Sequence, residues 1–322
     1  MKLLDEVTAF RKALANGGRY HFEALLAASK HASFAERDEA VLALLADGFD
    51  HPEDTGILCV ASGALVEDGA SPTLGVATIL DRLAAGAEIL LGSTLEDARL
   101  DDERKPPPKA LPELERRWIA GWKNHVRGAM ARLARDVTVR RALREHARLV
   151  AGLRALTERT TANHLRYLTE LLDMLDDEPL HVIDLTKGGT LARYRAYGIR
   201  NGFHLMTVLE GYRPFALCRD RVESVTATHG YYSWFALEDK AQRFVAGNLM
   251  AMLWGEPTAS TLPRFEGVAT IIKAPPTMSR SWDTHFLSPL HEAMPEKLVL
   301  EHELSVEESQ PILRRIAAAA RD

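Results

Sequence analysis

Cysteine is nearly missing: the 322 residues contain two, Cys59 and Cys218. Each lies inside an apolar run and neither belongs to a CxxC pair, so neither a disulfide framework nor a cysteine zinc site is expected. Long hydrophobic runs are missing too. The longest apolar stretches, such as GILCVASGALV, break off after about a dozen residues, where a bilayer crossing needs roughly 20. No membrane-spanning segment is expected. The opening MKLLDEVTAFRKAL carries Asp5, Glu6 and Arg11 where a secretory leader needs an unbroken apolar core, so it reads as an amphipathic helix and the expected location is cytoplasmic.

The familiar catalytic signatures are absent as well. There is no HExxH or HxH among the 12 histidines; His285 and His291, on either side of Pro289, are the nearest approach, with His291-Glu292 beside them. There is no GxSxG elbow, and Cys59 sits on an apolar helix face where a thiol stays protonated. The stretch HVIDLTKGGT, residues 181–190, has the look of a phosphate cradle but puts Lys187 before Gly188 and Gly189 rather than after them. The segment after Thr190, LARYRAYGI, alternates with period two. It reads as a strand, so the glycines make a hairpin turn and not the mouth of an anion-binding helix. No cofactor and no metal are expected.

What is present is an ordinary globular balance, 46% hydrophobic and 26% charged, with a length that suits two domains. The net charge of −5 hides an uneven layout: residues 1–103 hold 8 Lys and Arg against 19 Asp and Glu, whereas residues 104–166 hold 16 against 5. Opposite balances in adjacent segments suggest helical layers that dock on one another, a protein partner, or a nucleic-acid backbone tracked by the arginines.

Helix signals fill the first half. Residues 3–15 and 20–30 are periodic; Ser33 and Glu36 have capping-box spacing, with Gly48 as a stop; Asp54 is a cap for the helix ended by Gly69; Ser71 and Pro72 open another. Residues 92–112, ending in three prolines, read as a linker. Helices are then expected at about 113–135, 137–158 and 160–175, with Trp118 and Trp122 as core anchors. From Glu178 the texture turns to short runs rich in β-branched and aromatic residues, with helices at GFHLMTVLEGY, at EDKAQRFVAGNLMAMLW, and after a second capping box, Ser305 with Glu308.

The expected fold is therefore a mainly α N-terminal region, antiparallel helices as a bundle or irregular solenoid over 1–177, followed by a smaller α+β domain over 178–322. Two residue sets stand out. Asp184, His204, Glu210 and His229, with Arg213 and Tyr231 nearby, could perform acid–base chemistry if they converge. Arg140, Arg141, Arg144 and Arg148, with Lys123 and Arg127, could form a partner-binding face. The leading expectation is a non-enzymatic adaptor or assembly protein with a protein partner, and a homodimer is compatible with exposed helix faces. The alternatives are an enzyme with a His/carboxylate site in the C-terminal domain, and a nucleic-acid binder using the arginine helices of 113–166.

Overall fold

The computed structural model describes the chain except for residues 1, 18–21, 94–110, 160–162, 214–223, 234–236, 239–242, 245–257, 277–278, 284–289, 295 and 320–322. Residues 94–110 of the expected linker, His285 and Cys218 thus lie outside the described residues, while Gly92 ends α5 and Pro112 caps α6. The chain divides into two compact units, Met1–Leu172 and Asp173–Asp322. The first is helical and the second combines helices with a mixed sheet, as the sequence patterns predict.

The first unit runs α1 Leu3–Ala15, α2 Phe22–Ser29, α3 Phe34–Leu45, α4 Pro52–Glu67, α5 Val76–Gly92, α6 Glu113–Leu133, α7 Val137–Glu145, α8 Ala147–Arg159 and α9 Asn163–Asp173, which ends at the division. Helix α1 buries Leu3, Val7, Phe10 and Leu14, a stripe at helical spacing. The capping box before α3 forms, with the Glu36 amide donating to Ser33 Oγ and Ser33 donating back to the Glu36 carboxylate. Helices α4 and α6 pack closely because glycines face each other: a Cβ on Gly128 would lie 2.3 Å from the Cys59 carbonyl oxygen, and one on Gly121 would lie 2.6 Å from that of Pro52.

Three helix boundaries differ from the sequence expectation. Helix α4 starts at Pro52, with His51 as its cap rather than Asp54, because proline's missing amide costs nothing in a first turn. Helix α5 starts at Val76 after a left-handed Gly75, while the Ser71 amide donates to Asp38 Oδ1 at 2.7 Å instead of opening a helix. The helix expected over 137–158 is two, broken at His146, whose ψ of 82° leaves the helical range.

The second unit contains β1 Glu178–Asp184, β2 Thr190–Tyr197, α10 Gly202–Leu209, β3 Ser224–Ala227, β4 Gly230–Ser233, β5 Leu237–Glu238, β6 Arg243–Phe244, β7 Arg264–Phe265, β8 Val268–Ala274, β9 Arg280–Asp283, β10 Lys297–Leu304 and α11 Val306–Ala319. The main sheet has the order β10-β2-β1-β8-β4, with β7 also pairing β8; β1 and β8 are parallel and the other pairs antiparallel. β3 pairs with β9 and β5 with β6 as separate ribbons. The helix expected over EDKAQRFVAGNLMAMLW lies largely outside the described residues, and within it Arg243–Phe244 is a strand.

The stretch from His181 to Thr190 is a hairpin between β1 and β2, with Gly188 and Gly189 at φ 78° and 92° in its turn. Alternation along the strands gives the sheet two apolar faces. One, formed by Leu180, Val182, Ala269 and Ile271, is covered by Phe203, Leu205 and Met206 of α10. The other, Ile183, Leu191 and Ile272, is covered by Leu313 and Ile316 of α11. The second capping box, Ser305 with Glu308, starts α11.

Candidate functional site

Because β1 and β8 run parallel, their carboxyl ends emerge together, the edge of a sheet where ligands tend to bind. Asp184 ends β1, and its register partner on β8 is Lys273, whose Nζ lies 3.2 Å from Asp184 Oδ2. Asp184 Oδ1 accepts from the Thr186 amide at 3.0 Å and from its hydroxyl. Burial pushes this carboxyl up, but the bonds from Thr186 and Lys273 outweigh it and hold Asp184 below the usual carboxylate range. The next partner across the sheet is Tyr231 of β4.

Tyr231 connects this pair to a second group. Its hydroxyl donates at 2.9 Å to Oε1 of Glu210, which closes α10 as its C-cap. Glu210 Oε2 accepts from the Thr228 amide at 3.2 Å and from the Thr228 hydroxyl at 2.5 Å. Burial raises Glu210, yet the bonds from Thr228 and Tyr231 prevail and the net shift is downward. The same surroundings, burial first and Glu210 next, push the Tyr231 hydroxyl far above its ordinary value, so it keeps its proton and donates it to Glu210.

His229 is the titratable group with an open side. Its Nδ1 lies 2.7 Å from Thr228 Oγ1 and 3.6 Å from Glu210 Oε1, and 30% of its side chain is exposed. Thr228 has one hydroxyl proton, and an ionised carboxylate can only accept, so that proton points at Glu210. Thr228 Oγ1 must then accept from His229 Nδ1–H. The chain His229 to Thr228 to Glu210 therefore fixes the Nδ1–H tautomer and leaves the Nε2 lone pair, with no partner among the described residues, facing outward.

His204 does not join them. It is fully buried near the start of α10, its Nε2 3.0 Å from the Arg200 guanidinium and its Nδ1 2.9 Å from Glu296 Oε1, while its amide is capped by Asn201. The structure thus brings Asp184, Glu210, His229 and Tyr231 to one end of one sheet face and sets His204 at the other end of α10; Arg213 is exposed. Sequence reasoning missed Lys273, Thr228, Arg200 and Glu296. Lys273 and Thr228 lie in strands or turns remote from Asp184 and Glu210 along the chain, and no local spacing announces them.

The arginine set serves several purposes. Arg140 is buried and donates to the Leu133 carbonyl at 2.7 Å, closing the end of α6, and Arg144 donates to the Leu171 carbonyl at 3.2 Å. Arg148 makes two bonds of 2.9 Å to Glu88 on α5. Arg127 and Arg141 are exposed and Lys123 is half-buried. No group of three or more His, Cys, Asp and Glu suited to a metal is found among the described residues, and no described helix is long and apolar enough to cross a membrane.

Comparison with known proteins gives no relative: no protein family, no curated protein and no solved structure matches the chain.

Proposed function

We propose that the C-terminal unit is a general-base catalytic module in which His229 Nε2 takes a proton from a hydroxyl or a water. The supporting observation is the chain through Thr228 to Glu210. An ionised carboxylate at its far end favours the imidazolium that forms when Nε2 gains a proton, which is the part an orienting carboxylate plays in acid–base dyads generally. Lys273, the cross-strand partner of Tyr231, is the cation placed to meet negative charge developing on the substrate. The substrate class is a small polar molecule carrying a reactive hydroxyl or a bond open to water.

Long-range ¹H–¹⁵N spectra of the full chain test the first step directly. His229 is expected as the Nδ1–H tautomer at pH 8, and a proton on Nε2 would overturn the reading. A screen of generic esters and phosphoesters is the second step, with turnover expected to vanish in His229→Gln and to survive in His302→Gln, a change on the exposed strand β10.

The adaptor expectation stands as a second reading on one observation. Phe34 and Leu42, two turns apart on α3, are 67% and 51% exposed, an apolar pair a protein partner would cover. Photo-crosslinkers placed at the two positions in cells should capture the same protein, and capture of unrelated proteins at each would count against it.

A further inference from the structure

On one side the main sheet ends in β10, which pairs with β2 along one edge and with no described strand along the other. Its residues are exposed apart from Leu298 and Leu304, which are half-buried. Val299 and Leu300, neighbours in the strand, are 44% and 51% exposed. Edge strands are ordinarily protected by charge or proline at mid-strand, yet Leu298, Val299 and Leu300 are all apolar. Free backbone amides and carbonyls beside apolar side chains are a template for a further strand.

The order of residues in β10 selects which strand fits. Leu298 and Leu300 lie opposite Ala196 and Tyr194, on the sheet face that α10 covers. Lys297 and Val299 lie opposite Tyr197 and Arg195, which alternate with Leu191 on the α11 face. The ladder is irregular between Leu300 and His302, and Glu301 accepts there from Arg193 and Arg195, so it too is on the α11 face. Beyond the bulge the alternation is reversed, and Glu303, opposite Ala192, is on the α10 face. A second β10 added antiparallel about a twofold axis normal to the sheet keeps each face on its own side, so side chains that meet must share a face. With Val299 opposite its own copy, Lys297 meets Glu301, Leu298 meets Leu300 and Val299 meets Val299, each pair on one face. Opposite charges and apolar side chains are thus matched along the whole segment. With Leu300 at the centre, Lys297 would meet Glu303 from the wrong face.

We propose that the protein forms a twofold dimer in which residues 297–301 of two copies pair antiparallel, joining their main sheets into one. Each copy uses the same edge, so the assembly closes at two. The paired segment is short, and association is weak and concentration-dependent. The dimer is independent of the His229 chemistry.

Sedimentation equilibrium of the full chain, up to about 1 mM, should show monomers in exchange with dimers. Val299→Lys and Val299→Glu, at an exposed position, each set like charges across the twofold axis and should weaken association about tenfold; mixing the two should restore it, because lysine then meets glutamate. A chain that stays monomeric, variants that dimerise as well as the unaltered chain, or a mixture no better than its components would overturn the proposal. A pair of cysteine variants decides should the charged ones fail to fold. In a Cys218→Ser background, oxidation should link Val299→Cys chains into covalent dimers far more readily than Leu300→Cys chains, since only residue 299 faces its own copy. Equal yields at the two positions, or more at Leu300, would refute the pairing.

Discussion

Replacing Glu210 by Gln isolates the group on which the His229 chain depends. The carboxylate accepts three bonds, from the Thr228 amide, the Thr228 hydroxyl and Tyr231, with 4% of its side chain exposed. An amide of the same shape keeps one acceptor oxygen, so one side of the group is left facing a donor. Losing one charge-assisted bond and weakening the others costs about 3 kcal/mol, and easier burial of a neutral amide returns part of that; the expected net loss at pH 7 is about 2 kcal/mol. The pH dependence is the sharper signature. Folding lowers Glu210 from its ordinary 4.5, so its stabilisation is complete above that pH and is lost as pH falls through the lower folded value. Below it the native carboxyl is protonated and resembles Gln. Urea unfolding followed by circular dichroism should therefore show a difference of about 2 kcal/mol at pH 7 that shrinks progressively as pH is lowered below 4.5. A difference unchanged across that range would refute the assignment of Glu210 as an ionised acceptor.

Two further outcomes concern the helical unit. His125 falls from 6.5 to about 4 on folding, chiefly through burial, so the unfolded chain binds a proton more readily between those values and stability drops as pH falls through that window. The loss is about 3 kcal/mol, and it should be missing from the pH profile of a folded His125→Gln chain measured by the same urea titration. Gly128→Ala puts a methyl 2.3 Å from the Cys59 carbonyl oxygen and forces α4 and α6 apart, whereas a Cβ on Gly92 meets nothing within 4 Å. The first change should destabilise by about 2 kcal/mol despite alanine's better helix propensity, and Gly92→Ala should leave the midpoint unchanged or raise it; equal effects would show that the helices do not touch there.

Local signals in the chain were good guides to local structure. Two Ser-x-x-Glu boxes, the turn at Gly188 and Gly189, and the period-two run after it each depend on residues within a few positions, and each forms. The starts of α4 and α5 were harder because several polar residues precede each; Pro52 in the first turn set the first, and at the second Asp38 takes the Ser71 amide, a long-range bond that no local pattern contains. The candidate site was legible only in part. Asp184, Glu210, His229 and Tyr231 were recognisable as chemical types, but their convergence depends on β8 lying between β1 and β4, a topology set by burial of two sheet faces rather than by spacing. His204 was indistinguishable from His229 in sequence; one lies in the core within α10 and the other, in the turn between β3 and β4, keeps 30% of its side chain exposed.

The charge reversal along the chain has a use that needs no partner. Arg148 binds Glu88, His146 lies 3.1 Å from Asp81, and Arg135 lies 3.7 Å from Glu67, so residues of the basic segment meet acids of the segment before it. Exposed pairs of this kind add little stability each, though they penalise wrong helix registers by placing like charges together. Other arginines of the helical unit bind carbonyls at helix ends: Arg140 that of Leu133, Arg159 that of Leu91 and Arg11 that of Ala43. The guanidinium suits this task because several N–H groups in a plane can close more than one unpaired carbonyl at once, where an ammonium is a single point. A helical unit built from many short helices has many such ends. Part of its arginine content thus follows from its architecture, since each such end offers a guanidinium carbonyls to close.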